Sequence, residues 1–95
     1  MSAMDDVKRI ALIVRDRPGE ALRVAGGLTL ADDTIEVFLL DCKLDRSDPV
    51  VARPLELISE LGLTVYSTDP DNGYPVISLE DMARKLLDYD IIVPY

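Results

Sequence analysis

Cys42 is the residue of this 95-residue chain best suited to covalent chemistry, because the sequence holds one cysteine and no histidine. It follows residues 34–40, a β-branched and aromatic run that predicts a buried strand ending in a charged loop. In an open parallel sheet, the carboxyl ends of the strands share one edge, where ligands bind. A lone thiol at that edge is either a reactive group or a small buried apolar side chain.

Basic residues are concentrated in the predicted loops around Cys42. Arg15 and Arg17 follow the first predicted strand, and Lys43 is adjacent to the cysteine. A cation near a thiol favours the nucleophilic thiolate. The same loops carry acidic residues that offset this field, namely Asp16, Glu20, Asp41, Asp45 and Asp48. The count of charges therefore leaves both readings of Cys42 open, the reactive and the inert.

Apolar patterns predict the elements that position these loops. Strands are predicted over residues 7–14, 34–40, 63–67 and 91–93. Helices are predicted over residues 19–31, from Val50 or Pro54 to residue 61, and over residues 79–86. Crossovers of this length join parallel strands. We therefore predict one α/β domain over residues 1–95: a small doubly wound sheet of four or five mainly parallel strands with helices on both faces.

Several residues mark how the helices should sit. In the second helix, Leu57, Ile58 and Leu61 are predicted to face inward, and Gly62 is predicted to end the helix in the left-handed conformation. Ser78 is a predicted cap for the third helix. The pair Gly26-Gly27 in the first helix costs about 1 kcal/mol per glycine relative to alanine, so we expect it to allow close packing on the sheet.

Composition excludes several classes of function. A formal charge of −8 opposes nucleic-acid binding. No apolar run approaches the roughly 20 residues of a membrane span, and the acidic start at residues 1–6 is unlike a secretion signal, so we expect a cytoplasmic protein. One cysteine without histidine cannot form a closed zinc site, and we expect neither a metal nor a cofactor. A serine hydrolase triad likewise lacks its histidine.

A flavodoxin-like nucleotide or flavin binder is a weaker alternative. Such a protein needs a glycine- or serine-rich phosphate loop after the first strand. Residues 17–20 offer one glycine, Gly19, followed by the carboxylate of Glu20 where a phosphate would lie.

The order of apolar segments resembles that of the DsrE-like family, which includes the DsrE, DsrF and DsrH and the TusB, TusC and TusD subunits of sulfur-relay complexes. The resemblance covers nearly the whole chain and is carried by apolar patterns more than by a chemical signature. The similar segments are residues 9–14, 21–31, 35–40, 57–66 and 79–93, with Asp90 at the acidic position before the last strand.

The resemblance implies a small cytoplasmic protein that assembles as a homo-oligomer, a trimer or hexamer, or with related DsrE-like subunits. Some members carry sulfur as a cysteine persulfide just after the third strand. That position corresponds to Thr68, beside Ser67, and neither hydroxyl can hold a persulfide.

Two hypotheses follow. We favour a non-catalytic member that binds a ligand or partner at a rim formed by Arg15, Arg17, Asp41, Lys43, Ser67 and Thr68. The alternative is a sulfurtransferase-type carrier in which Cys42 takes up the sulfur and nearby cations stabilise its thiolate.

Overall fold

Four parallel strands form one sheet in the order β3-β2-β1-β4 in the computed structural model, which describes residues 8–28 and 34–94. The strands are β1 (Arg9–Val14), β2 (Thr34–Leu39), β3 (Thr64–Ser67) and β4 (Ile91–Pro94). The helices are α1 (Pro18–Leu28), α2 (Pro49–Glu60) and α3 (Leu79–Lys85), with 3₁₀ turns at Pro70–Asn72 and Leu86–Asp88. The predicted doubly wound α/β fold is confirmed. Asp32-Asp33, between the predicted first helix and second strand, has the composition of a return turn and lies outside the described residues.

The chain builds the sheet outward from β1 in both directions. It adds β2 and β3 on one side of β1 and then crosses back to place β4 on the other side. One face of the sheet packs against α1 and α2, through Leu12, Val14, Val37, Leu39, Leu22, Leu55 and Ile58. The other face packs against α3 and the turn after it, through Ala11, Phe38, Met82 and Tyr89. The core is therefore divided by the sheet into two layers.

Tyr89 ties the second layer to the start of β1 and β2. Its ring packs edge-on against Phe38, with 5.7 Å between ring centroids, and its hydroxyl donates a hydrogen bond to the Glu36 carboxylate. The Arg9 guanidinium lies 4.8 Å from the Tyr89 ring centroid and 3.5 Å from the Glu36 carboxylate. These contacts fix the segment that leads into β4, since Asp90 follows directly and its backbone N–H donates to the Arg9 carbonyl oxygen.

Helices α1 and α2 approach each other closely at two glycines. A Cβ atom added to Gly19 would lie 2.6 Å from Val50 Cγ1, and one added to Gly26 would lie 2.7 Å from Leu57 Cδ2. Both pairs are spaced by seven residues along their helices, so α1 and α2 run side by side in the same direction. Gly26 therefore packs against α2, not against the sheet as predicted, and an added Cβ at Gly27 would meet nothing within 4 Å.

Helix α2 is apolar on two faces, which corrects the predicted inward stripe. Val51, Leu55 and Ile58 are buried, whereas Leu57 and Leu61 are 42% and 47% exposed. The error arose because apolar residues recur at helical spacing along both stripes, so periodicity alone could not select the inner one. The predicted stop is confirmed, because Gly62 is left-handed with φ of 72°.

The cap of α3 and the edge of the sheet complete the fold. Ser78 accepts a hydrogen bond from the Asp81 backbone N–H at 3.0 Å, as predicted. Strand β4 is at the edge of the described sheet, and Ile91 and Ile92 are 43% and 45% exposed there. The edge at β3 is partly covered, because Ile77 donates its backbone N–H to the Ser67 carbonyl oxygen.

Candidate functional site

The carboxyl rim, formed by residues 15–17, 40–48, 67–75 and 94, contains the predicted site residues. Asp41 follows β2 and is the one described residue other than glycine with a positive φ, at 48°. This left-handed turn places Asp41 and Lys43 at the surface and directs the residue between them inward. Of the two readings of Cys42 left open by the sequence, the structure therefore shows the buried one, although both neighbours of the cysteine are charged and exposed.

Cys42 packs in the apolar layer beneath the rim. It is 4% exposed and belongs to the same cluster as Val14, Leu39 and Val51. Burial raises the pKa of the Cys42 thiol, and the carboxylate of Asp16 raises it further. Both effects disfavour the thiolate, which is the reactive form.

Thr68 joins the end of β3 to the end of β2. Its hydroxyl oxygen accepts the Asp41 backbone N–H at 2.9 Å, and its own backbone N–H donates to the Leu39 carbonyl oxygen at 3.0 Å. The hydroxyl therefore has a structural partner at the turn that buries Cys42. Local hydrogen bonds of this kind supply the backbone with a partner that the sheet ladder no longer provides.

Asn72 is the central polar residue of the rim. It is 3% exposed, and its amide nitrogen donates to the Cys42 carbonyl oxygen at 2.7 Å and to the Ser67 hydroxyl at 2.9 Å. Its side-chain oxygen accepts the Leu44 backbone N–H at 2.9 Å. One carboxamide thus joins the loop after β2 to the loop after β3, with its hydrogen-bonding capacity largely used.

Ser67 is enclosed by the same network. The residue is fully buried, and its hydroxyl donates to the Asp69 carbonyl oxygen at 2.9 Å while accepting the Asp69 backbone N–H at 3.0 Å. A serine with this many fixed partners is held as a structural connector. Among the predicted rim residues, the structure therefore brings together Asp41, Ser67 and Thr68 around the backbone of Cys42.

The basic residues of the two loops are engaged elsewhere. Arg46 donates to the Asn72 carbonyl oxygen, with its guanidinium 5.3 Å from the Tyr74 ring centroid. Lys43 lies 3.7 Å from the Asp71 carboxylate at the surface. Neither cation lowers the pKa of Cys42, because the charged group that acts on this thiol is the Asp16 carboxylate, which raises the pKa.

Arg15 and Arg17 lie apart from this cluster, after β1. Both are exposed, and Arg17 lies 3.7 Å from Glu20 in the first turn of α1. The ends of β1 and β4 flank the point where the strand order reverses, where ligands of such sheets bind. Gly19, the single glycine of that loop, is buried against Val50, so its missing side chain serves the contact between helices.

Asn72 was missed by sequence reasoning, which left residues 69–75 between the predicted third strand and third helix without a candidate site residue. The available signal was weak: it is the only asparagine of the chain, and it precedes Gly73, which is left-handed with φ of 79°. That pair indicates a turn, but nothing in the sequence shows that the asparagine side chain points inward.

The fold and the rim define a small doubly wound α/β protein whose strand ends are closed by a buried polar network. In the part of the chain that the structure describes, no cluster of acidic, cysteine or histidine side chains could hold a metal ion, and no helix is long and apolar enough to cross a membrane. Comparison with known protein families, with curated proteins and with solved structures found no match to this chain.

Proposed function

We propose that this chain is a DsrE-like cytoplasmic protein that acts by binding, as a homo-oligomer or with related subunits, and does not itself carry sulfur. One observation carries the proposal: the only thiol of the chain is 4% exposed. A sulfur carrier must present its thiolate to a donor and to an acceptor, and burial opposes both the charge and the access.

The position that matches the sulfur-carrying cysteine of the family supports the same proposal. Thr68 occupies it, and the Thr68 hydroxyl is committed to the Asp41 backbone N–H. The polar groups of the rim are used to join two loops, which suits a rigid platform for assembly better than a reactive site.

The test is to incubate the native protein with a persulfide donor and to weigh it intact. We expect no added sulfur on Cys42 and an alkylation rate at least about tenfold slower than that of the urea-unfolded chain, because the buried thiol has a raised pKa. Thr68→Cys combined with Cys42→Ala is the positive control, since it moves the thiol to the rim surface. Rapid, stoichiometric sulfur uptake by native Cys42 would instead establish the carrier function.

A further inference from the structure

A groove between α1 and α2 has apolar walls and basic charges but no acidic residue. Its volume is about 590 Å³, and it is lined by Arg23, Pro49, Val50, Arg53, Pro54 and Leu57. Val50 and Leu57 are in contact with two glycines of α1, yet they are 57% and 42% exposed. The groove therefore offers apolar surface beyond what the contact between the two helices uses.

Arg23 of α1 and Arg53 of α2 lie at the middle of this groove. Arg23 is between the two glycines that contact α2, four residues after one and three residues before the other. Arg53 is likewise between Val50 and Leu57, the residues of α2 that meet those glycines. Because α1 and α2 run in the same direction, the two arginines are at nearly the same level, with an apolar residue of α2 on either side of them.

The two guanidinium groups of the groove have no acidic partner. Arg23 and Arg53 are exposed, and within the described residues neither forms an ion pair or a hydrogen bond through its side chain. The acidic residues of the two helices lie elsewhere: Glu20 is beside an arginine that precedes α1, and Glu56 and Glu60 line a different groove. The groove thus holds two uncompensated positive charges in a chain whose formal charge is −8.

We infer that this groove binds an amphipathic helix of a partner protein, one that carries an acidic residue midway between two apolar residues. On such a helix, apolar residues seven positions apart and an acidic residue between them share one face. Val50 and Leu57 are also seven residues apart, so both apolar contacts form while the carboxylate lies between the two guanidinium groups, which bind carboxylates well. The net negative charge of the chain opposes acidic segments that lack the apolar residues.

A second copy of this chain does not supply that pattern from its helices. In α1, α2 and α3, no aspartate or glutamate lies midway between two apolar residues that are seven positions apart. The partner is therefore a different protein, and the inference goes beyond the proposed self-association. Either one stands if the other fails, because they concern different partners and are measured separately.

Designed helical peptides of about 15 residues test the inference by isothermal titration calorimetry with the full chain. The acidic peptide has two leucines seven positions apart and a glutamate midway, on an alanine-rich background. One comparison peptide has glutamine in place of the glutamate, and another has alanine in place of both leucines. We expect the acidic peptide to bind about fivefold more tightly than the glutamine peptide, since exposed ion pairs are weak individually, and the peptide without leucines not to bind.

The variant Arg23→Gln/Arg53→Gln should bind the glutamate and glutamine peptides equally. The matched control is Arg84→Gln/Lys85→Gln, which removes the same two charges on α3, on the other face of the sheet, and should keep the preference for glutamate. Circular dichroism spectra report whether both variants fold. The inference is wrong if the unaltered protein does not bind the acidic peptide at concentrations of about 1 mM, or if the groove variant keeps the preference. A change in the mass of the groove variant by sedimentation equilibrium would also overturn it, because a second copy would then occupy the groove.

Discussion

The Thr68 hydroxyl accepts the backbone N–H of Asp41 at 2.9 Å, and so the residue that follows β3 supports a strained turn after β2. Asp41 has a φ of 48°, a conformation that costs a residue with a side chain roughly 1 kcal/mol or more. The turn is what directs Cys42 into the core. One hydroxyl therefore helps to determine whether the chain's only thiol faces solvent.

Replacing Thr68 with valine should lower the free energy of unfolding by about 1 kcal/mol, because the Asp41 N–H loses its partner and the turn loses its support. Urea unfolding followed by circular dichroism measures the loss. Thr68→Ser keeps the hydroxyl and should retain most of the stability. A loss in Thr68→Ser without a loss in Thr68→Val, which keeps the methyl group, would show that packing of the methyl group matters instead of the hydrogen bond.

Asn72→Asp should cost about 2–3 kcal/mol of unfolding free energy, since the amide donors to Cys42 and Ser67 become acceptor atoms in a buried site. The loops after β2 and β3 would then separate, so native Cys42 should also alkylate faster than in the unaltered protein. The comparison variant is Asp71→Asn, an exposed neighbour in the same turn. Asp71→Asn should leave both the stability and the alkylation rate unchanged. A similar loss of stability or a similar gain in alkylation rate in this variant would refute a specific role for Asn72.

Stability should fall at alkaline pH, and Tyr89 should contribute to the fall. Burial raises the pKa of the Tyr89 phenol most, and the hydrogen bond to Glu36 raises it further. A raised pKa in the folded state adds stability below the unfolded value, about 10 for tyrosine, and that stability is lost as the pH rises toward the folded value. Burial raises the pKa of Cys42, so its contribution has the same sign and is lost from the unfolded value of about 8.5 upward.

Urea unfolding at several pH values between about 8 and about 11 measures how steeply the free energy of unfolding falls with pH. Tyr89→Phe should be less stable at neutral pH but should lose less stability above about pH 10. The matched change is Tyr74→Phe, whose hydroxyl forms no hydrogen bond within the described residues and which should keep the original slope. An unchanged slope in Tyr89→Phe would exclude Tyr89 as the source.

Alanine substitutions at two glycines of α1 should change the free energy of unfolding in opposite directions. Gly19→Ala should lower the unfolding free energy, because the new Cβ would lie 2.9 Å from the Val50 carbonyl oxygen, a backbone atom that cannot move aside. Gly27→Ala should raise it by about 0.5 kcal/mol, because alanine favours the helix and its Cβ meets nothing within 4 Å. Thermal unfolding measures both changes, and stabilisation by Gly19→Ala would show that α1 and α2 are more loosely packed.

Local patterns were sufficient to predict the alternation of strands and helices, the stop at Gly62 and the cap at Ser78. Each of these depends on residues close in sequence, where spacing and backbone preference decide the outcome. The buried, inert reading of Cys42 is the one that the structure confirms, but the sequence could not show how the burial arises, because it depends on the left-handed turn at Asp41 and on Thr68, which is distant in sequence. The inner stripe of α2 was misassigned for a related reason: its two apolar lines differ only in which one meets the sheet.

Strand β4 also bears on how this protein avoids uncontrolled aggregation. An edge strand offers a template to foreign strands through the backbone groups that face away from the sheet. The Asp90 backbone N–H donates to the Arg9 carbonyl oxygen, so by alternation only Ile91 and Val93 of this four-residue strand direct their N–H groups outward. Two outward donors give an incoming strand little to pair with, and the shortness of β4 thereby protects an edge whose isoleucines are exposed.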